Sequence, residues 1–175
     1  MVHPMAVAVV VSTPQKTIKQ TWKNLFDLIS TNDENQKEIK QILDSFPDKQ
    51  ALKKIINTSS PHEMGDETML MWAVWNLKKT TVDDLLKYGA NPRFENDNGE
   101  SVSTYWSFND RQNDSVPDKN SEHRQQLACE IAETLHRAGV SLNAESLIGS
   151  WGLMKRAKRY NLKILEAKLV TLGYT

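Results

Sequence analysis

The chain has 175 residues, enough for one domain or two small ones. Hydrophobic residues make up 39% and charged residues 25%, a composition typical of a soluble globular protein and unlike that of disordered chains. Lys and Arg together number 22, as do Asp and Glu, so no net charge steers the chain toward nucleic acid or anionic lipid. Cys129 is the single cysteine, which excludes an intrachain disulfide and fits a reducing compartment.

The N-terminal segment, residues 1–17, contains an apolar run at residues 5–11. The run is too short to span a bilayer, and it lacks the basic residues that open a secretory signal. Two interpretations stay open, a β-prone flap and a frayed, flexible end. No later stretch reaches the ~20 apolar residues that a membrane helix needs, so we expect no membrane span.

Three stripes of apolar residues at helical spacing then predict three helices. The stripes are Trp22, Leu25, Phe26 and Ile29, then Ile39, Ile42, Leu43 and Phe46, and finally Leu52, Ile55 and Ile56. Polar residues around Asp33 separate the first two helices. Pro47 ends the second helix, because proline lacks an N–H and crowds the preceding turn.

The next stretch, residues 65–99, has the most regular pattern. Thr68 is the predicted N-cap of a helix, since its hydroxyl can accept from the exposed amides of the first turn. Two inward stripes follow, Leu70, Ala73 and Val74 on one helix and Val82, Leu85 and Leu86 on its partner. Gly89 lies just past the last apolar residue, as a left-handed C-cap requires, and Asn98-Gly99 predicts a tight turn. The unit therefore reads as helix, turn, helix, glycine cap and polar finger.

The glycine cap recurs along the chain. Gly89, Gly139 and Gly173 each lie four residues after a leucine in a similar local pattern. Ile56-Asn57 gives a weaker echo upstream. Residues 107–122 are polar and have no apolar period, which predicts a long loop inserted between two helices.

These residues resemble an ankyrin repeat, whose pattern is G-x-T-P-L-H-x-A, a short turn, V-x-x-L-L-x-x-G-A-D/N-P and a D-x-x-G hairpin over about 33 residues. The matching residues are Thr68, Leu70, Ala73, Val82, Leu85, Leu86, Gly89, Ala90, Asn91, Pro92 and Gly99. Met69 and Met71 replace the proline and the histidine of the pattern, and the histidine normally ties neighbouring loops together. The resemblance implies an all-α fold, a short and irregular solenoid of stacked helix–turn–helix repeats with hairpin or turn fingers.

The resemblance also implies about four units in one domain that covers residues 18–175. The units are residues 18–60, 65–98, 99–143 with the inserted loop 107–122, and 144–175, the last with a helix pair over 146–160 and 162–172. The outer two units would be caps with a polar outer face. Because no repeat buries its apolar face alone, we expect the four units to form one cooperative domain with no linker.

Residues suited to catalysis or metal binding are scattered. None of His3, His62, His123 and His136 lies at i, i+4 from another, and the sequence contains no H-E-x-x-H, C-x-x-C or glycine-rich phosphate motif. Cys129 and His136 are two helical turns apart, roughly 10 Å by helix rise, too far to form a nucleophile–base pair. Asp83 and Asp84 point to different sides of a helix. We therefore expect no metal, no cofactor and no enzyme activity.

Aromatic residues give the main indication of a binding surface. In ankyrin proteins the positions of Trp72 and Trp75 look onto the concave groove, and Phe94 lies on a finger. Exposed Trp and Tyr are enriched in binding hot spots. The predicted contact residues are Trp72, Trp75, Asn76, Arg93, Phe94, Glu95 and Asp97, followed by Tyr105, Trp106 and the loop residues 109–121. The alternative is that these rings pack into the seams between repeats.

The function that the resemblance implies is recognition of a folded protein partner through the concave groove and the fingers. Two narrower versions stay open: a secreted bacterial effector that acts on host proteins, and an immunity protein that neutralises a toxin. Either would work in the cytoplasm, of the producing cell or of the host. We expect a monomer whose partner the sequence does not identify.

Two other classes of function remain as alternatives. One is an enzyme or enzyme regulator whose site is built by the inserted loop, with Asp110, His123, Arg124 and Cys129 as the residues to examine. The other is binding of nucleic acid or an acidic partner by the basic run Lys155, Arg156, Lys158, Arg159 and Lys163. A solvated cap helix, whose last turn favours cations, explains that run equally well.

Overall fold

The computed structural model describes residues 15–31, 35–59, 66–108 and 121–175. Within these ranges the chain forms eight helices and no strand, so the all-α prediction is confirmed for them. The helices are α1 Gln15–Ser30, α2 Gln36–Ser45, α3 Lys49–Ile56, α4 Met69–Trp75, α5 Lys79–Lys87, α6 Glu122–Arg137, α7 Leu153–Arg159 and α8 Lys163–Thr171. The apolar run at residues 5–11 and most of the predicted inserted loop lie outside the described residues.

Helices α1 to α3 match the three apolar stripes, whose central residues are buried. Helix α2 ends before Pro47, as predicted, with Phe46 as its extended C-cap. Asp48 then caps α3, because its carboxylate accepts from the N–H groups of Gln50 and Ala51 at 2.9 and 3.0 Å. The Asp48 cap satisfies amides that a helix start leaves without partners.

The α4–α5 pair follows the predicted pattern closely. The Thr68 hydroxyl accepts from the Met71 N–H at 3.4 Å, which confirms the N-cap. Leu77 takes a φ of 53° in the turn between the helices, and Gly89 takes a φ of 88° after α5. The left-handed conformation at Gly89 costs little because glycine has no Cβ.

The backbone geometry of this pair recurs in the last pair, α7–α8. Asn161 takes a φ of 56° between α7 and α8, where Leu77 takes 53° between α4 and α5. Gly139 and Gly173 have φ values of 76° and 89° after α6 and α8, as Gly89 has after α5. The prediction that these glycines end helices in the same way is confirmed.

The main packing contacts join helices that are at most three apart in chain order. Helix α1 packs against α2, α3 and α4, while α5 packs against α4, α2 and α6. Helix α8 packs against α6 and α7. A single cluster of buried apolar side chains includes residues from α1 at Leu25 to α8 at Leu169. Each group of helices therefore covers the apolar side of the next.

Residues 101–108 form turns and no helix, which corrects the expectation of one helix on each side of the inserted loop. The N–H groups of Thr104 and Tyr105 donate to the Ser101 carbonyl, each at 3.0 Å. The Arg156 guanidinium donates hydrogen bonds to the carbonyls of Thr104 and Trp106, at 2.9 and 3.0 Å. These bonds use carbonyls that a continuing helix would need for itself.

The predicted helix over residues 146–160 is also wrong in its first half, because α7 begins only at Leu153. Residues 146–150 form a turn in which the Ser146 N–H donates to the Ser150 carbonyl at 3.0 Å. Gly149, with a φ of 84°, closes this turn. The apolar pair Leu147 and Ile148 suggested a helix, but the left-handed glycine after them ends any helical path.

Two similar loops thus follow α5 and α6, the first finger (residues 90–101) and the second finger (residues 140–151). They lie side by side, joined by a hydrogen bond from the Leu147 N–H to the Asn98 carbonyl at 2.9 Å. The Ser150 hydroxyl also donates to the Glu100 carboxylate at 3.2 Å. The tight turn predicted at Asn98-Gly99 is confirmed by the φ of 71° at Gly99.

Candidate protein-binding surface

Five aromatic rings touch in sequence across α1, α4 and the turns after the first finger. This aromatic row consists of Trp22, Phe26, Trp72, Tyr105 and Trp75. Trp22 stacks on Phe26 at 4.9 Å between ring centroids, and Phe26 meets Trp72 edge-on at 5.7 Å. Tyr105 meets Trp72 at 6.0 Å and Trp75 at 5.1 Å. All five side chains are half-buried, so each keeps part of its ring open to a partner.

Hydrogen bonds at the edges hold the row in place. The Trp22 indole N–H donates to the Thr58 carbonyl at 3.1 Å. The Asn76 amide donates to the carbonyls of Ile29 and Trp72 at 3.2 and 3.0 Å, which ties α4 to α1. Asn76 therefore acts on the row mainly by positioning it. The predicted contact residues Trp72, Trp75 and Tyr105 do come together, but they are partly sunk into the seam between helices.

A buried carboxylate lies at the Tyr105 end of the row. The Tyr105 hydroxyl donates to Glu67 at 3.3 Å, and Glu67 is only 5% exposed. Burial raises the pKa of the Glu67 carboxyl, and the neighbouring Glu100 adds to the rise. Burial and the Glu67 charge likewise raise the pKa of Tyr105. The phenol therefore stays protonated and serves as the donor.

The first finger carries the other predicted contact residues. Arg93, Glu95 and Asp97 are exposed, whereas Phe94 is half-buried and packs against the core. The Arg93 guanidinium lies against Gly139 at the base of the second finger. Three charged side chains are thus available to a partner, while Phe94 presents only one side of its ring.

Trp106 was predicted as a contact residue, and its placement corrects that prediction. The side chain is fully buried and stacks on Phe108 at 6.2 Å between ring centroids. The Trp106 carbonyl accepts from the Arg156 guanidinium of α7 at 3.0 Å. Trp106 therefore belongs to the core, and the alternative of rings packed into seams holds for this residue.

Sequence reasoning missed the most exposed apolar residues of the described chain. Leu147 is 85% and Ile148 is 63% exposed, side by side in the second finger. The sequence did contain an indication of this turn, because Gly149 directly follows Leu147 and Ile148 and glycine favours a turn. Assigning these residues to a helix concealed it.

The residues considered for an enzymatic site point to different neighbours. His123 is exposed on the first turn of α6, and Arg124 donates to the Ser107 hydroxyl at 3.1 Å, with its pKa lowered by burial. The buried Cys129 thiol donates to the Ile164 carbonyl of α8 at 3.8 Å, and burial raises its pKa. Asp110 lies outside the described residues. Among the residues described, no three His, Cys, Asp or Glu side chains are grouped to hold a metal ion.

The basic run on α7 divides into inward and outward side chains. Arg156 is half-buried and donates to the carbonyls of Thr104, Trp106 and Trp151. Lys155 pairs with Glu145 at 2.9 Å and lies over the Trp151 ring. Lys158, Arg159 and Lys163 are exposed. The run thus combines one structural arginine with a charged outer surface.

The sequence matches no protein-family model, and a search of curated proteins gives no match. Within the described ranges, no helix combines the length and the apolar character needed to cross a bilayer.

Proposed function

We propose that this protein is a short ankyrin-like solenoid that binds a folded protein partner through the aromatic row and the fingers. The observation that carries the proposal is the aromatic row itself. It presents five half-buried rings in one continuous contact line. Aromatic rings that are already ordered lose little side-chain entropy on binding, which suits them to anchor a partner.

The recurring geometry supports the solenoid part of the proposal. The α4–α5 and α7–α8 pairs share a left-handed residue between their helices and a glycine cap at their end. The fingers after α5 and α6 each contain the same kind of turn, and they lie side by side. Repeats of this kind contact mainly their neighbours in the chain and build an elongated surface suited to binding.

The exposed charges of the first finger support a role in choosing the partner. Arg93, Glu95 and Asp97 are exposed beside the half-buried Phe94. Charged groups at the rim of an interface change association rates and selectivity more than affinity. We therefore assign affinity to the aromatic rings and selectivity to the charged side chains of the first finger.

The test uses the full chain as bait and the purified partner for measurement. A protein captured from lysate is identified, purified, and titrated against wild type, Trp75→Ala and Phe94→Ala. We expect each variant to weaken the Kd at least about tenfold, because removal of a hot-spot ring costs about 2 kcal/mol. Val170→Ala, at an exposed apolar residue on α8, is the matched control and should leave the Kd unchanged. Unchanged binding by both ring variants, with circular dichroism confirming their fold, would show that another surface is used.

A further inference from the structure

The two fingers have the same turn at positions that differ by 50 in residue number. The Asn96 N–H donates to the Glu100 carbonyl at 3.0 Å, and the Ser146 N–H donates to the Ser150 carbonyl at 3.0 Å. The glycine of each turn has a positive φ, 71° in the first finger and 84° in the second. Each residue of the first turn that contacts the second finger therefore has an equivalent residue in the second turn.

The second finger covers one edge of the first. The Leu147 N–H donates to the Asn98 carbonyl at 2.9 Å. The Leu147 side chain lies against Gly99, with its Cγ 3.0 Å from where a Cβ of that residue would be. A backbone hydrogen bond and an apolar side chain over a glycine thus join the two fingers.

The corresponding edge of the second finger is open. Ile148 corresponds to Asn98, and its carbonyl accepts no backbone hydrogen bond from any described residue. Gly149 corresponds to Gly99, and no described atom lies within 4 Å of its Cβ position. Leu147 and Ile148, 85% and 63% exposed, flank this edge. An unpaired backbone edge with apolar flanks is a template for another chain.

Two lysines and one carboxylate lie beside the open edge. Beside the second finger lies an open cleft of about 290 Å³ lined by Asn143, Glu145, Gly152, Met154, Lys155, Lys158 and Thr175. Of the two lysines in this lining, Lys155 pairs with Glu145 at 2.9 Å, whereas Lys158 is exposed and has no carboxylate within ion-pair distance among the described residues. An acidic segment would be attracted to this side of the molecule.

We propose that the open edge of the second finger, residues 146–150, docks an acidic segment of a partner protein. One backbone N–H of that segment donates to the Ile148 carbonyl, and the apolar side chain of the same residue covers Gly149. This repeats the contact that Leu147 makes with the first finger. The inference rests on the proposed function, since it adds a second contact point for a protein partner.

Two other occupants fit the edge less well. A second copy placed by a two-fold axis would bring the same edge against itself, so that one acceptor carbonyl faces another. Insertion into a bilayer would move the Ile148 carbonyl into an apolar medium without a donor, which costs several kcal/mol, on the order of a lost buried hydrogen bond. A partner backbone supplies the donor that both alternatives lack.

The test uses a probe of defined chemistry. A backbone-cyclised peptide with the sequence of residues 141–151, SLNAESLIGSW, contains the leucine that makes this contact with the first finger. It is titrated into the ¹⁵N-labelled full chain in two forms, one extended by three glutamates and one by three lysines. We expect saturable shifts of the amides of residues 147–150. The glutamate form should bind at least about tenfold more tightly, with the difference lost in 0.5 M NaCl.

Matched glycine variants locate the site. Gly149→Asn keeps a residue type that tolerates positive φ and places a side chain on the open edge, so it should abolish the shifts. Gly173→Asn makes the same change at a φ of 89° with nothing near its Cβ position, and it should bind the peptide as wild type does. Equal loss in both variants, or no shift at residues 147–150, would overturn the proposal.

Three combinations of results distinguish failure of the docking edge from failure of the proposed function. Partner binding that depends on Trp75 while the peptide leaves residues 147–150 unshifted would overturn only the docking edge and keep the proposed function. Binding of the full chain to anionic vesicles that is lost in Ile148→Asp would overturn the edge in favour of a membrane. Peptide binding at the edge without any effect of Trp75→Ala on partner binding would support the edge and contradict the role of the aromatic row.

Discussion

Glu67 and Glu133 have pKa values that move in opposite directions from the same starting value. Glu67 is buried, and burial raises its pKa above 4.5, so the folded state holds this proton more tightly than the unfolded state does. The charged carboxylate therefore costs stability, a cost that is absent below pH 4.5, develops as the pH rises through the raised pKa and is constant above it. We expect Glu67→Gln to raise the thermal midpoint at pH 7 and to lose that advantage near pH 4, because its amide oxygen still accepts from Tyr105. A variant less stable than wild type at pH 7 would contradict this.

Glu133 behaves in the opposite way. Lys168 and Arg137 donate to its carboxylate at 2.8 and 2.6 Å, and these contacts lower its pKa from 4.5 to about 2. The stabilising effect is present in full above pH 4.5 and is lost as the pH falls toward 2. We expect Glu133→Gln to lower the thermal midpoint at pH 7 and to match wild type near pH 2. Glu130→Gln, at an exposed carboxylate on the same helix, is the control that should show neither effect.

At the scale of elements, Arg156 determines the shape of the segment before the inserted loop. Its guanidinium donates to the carbonyls of Thr104, Trp106 and Trp151, which holds residues 101–108 against α7. We expect Arg156→Met to cost about 3 kcal/mol of unfolding free energy, because hydrogen bonds from a charged donor contribute about 1.5–3 kcal/mol each and lost partners stay partly buried. Hydrogen exchange should increase at residues 101–108. The exposed Arg159→Met on the same helix should change neither measurement, and equal effects of the two variants would contradict the assignment.

The elements that could be predicted from sequence are those fixed by local interactions. Thr68, the stripes of α4 and α5, and Gly89 act within a few residues of one another, so their pattern alone specifies the pair. The prediction failed where distant residues decide the backbone. The turns at residues 101–108 depend on Arg156, which lies about fifty positions later in the chain.

In the candidate site, too, local patterns could be predicted from the sequence and tertiary packing could not. The aromatic residues could be chosen because Trp72 and Trp75 have helical spacing, and the resemblance to ankyrin repeats put them on one side. The burial of Trp106 and the link between Phe26 and Trp72 come from tertiary packing, which leaves no local mark. Leu147 and Ile148 were missed because two apolar residues fit a helix as well as a turn until the φ of Gly149 is known.

In a solenoid, the position of a truncated core residue should determine which helices lose protection from hydrogen exchange. Leu85 and Leu169 are the buried leucines four residues before equivalent glycine caps. Helix α5 has packing partners on both sides, α2 and α6, whereas α8 packs on α6 and α7 at one end. Truncation of either leucine to alanine removes similar apolar contacts and should cost about 2–5 kcal/mol. The two variants therefore differ in position far more than in chemistry.

In a stack of units coupled to their nearest neighbours, an end unit can open alone and a central unit cannot. We therefore expect Leu169→Ala to raise hydrogen exchange in α7 and α8 while α1 to α5 keep their protection. Leu85→Ala should raise exchange in α5 and in α2, α4 and α6, because opening of α5 removes the cover of each of these three packing partners. Native-state exchange followed by mass spectrometry reads both patterns directly. Uniform loss of protection in both variants would mean that the apolar cluster opens only as a whole, and it would contradict the nearest-neighbour coupling expected of a stack of repeats.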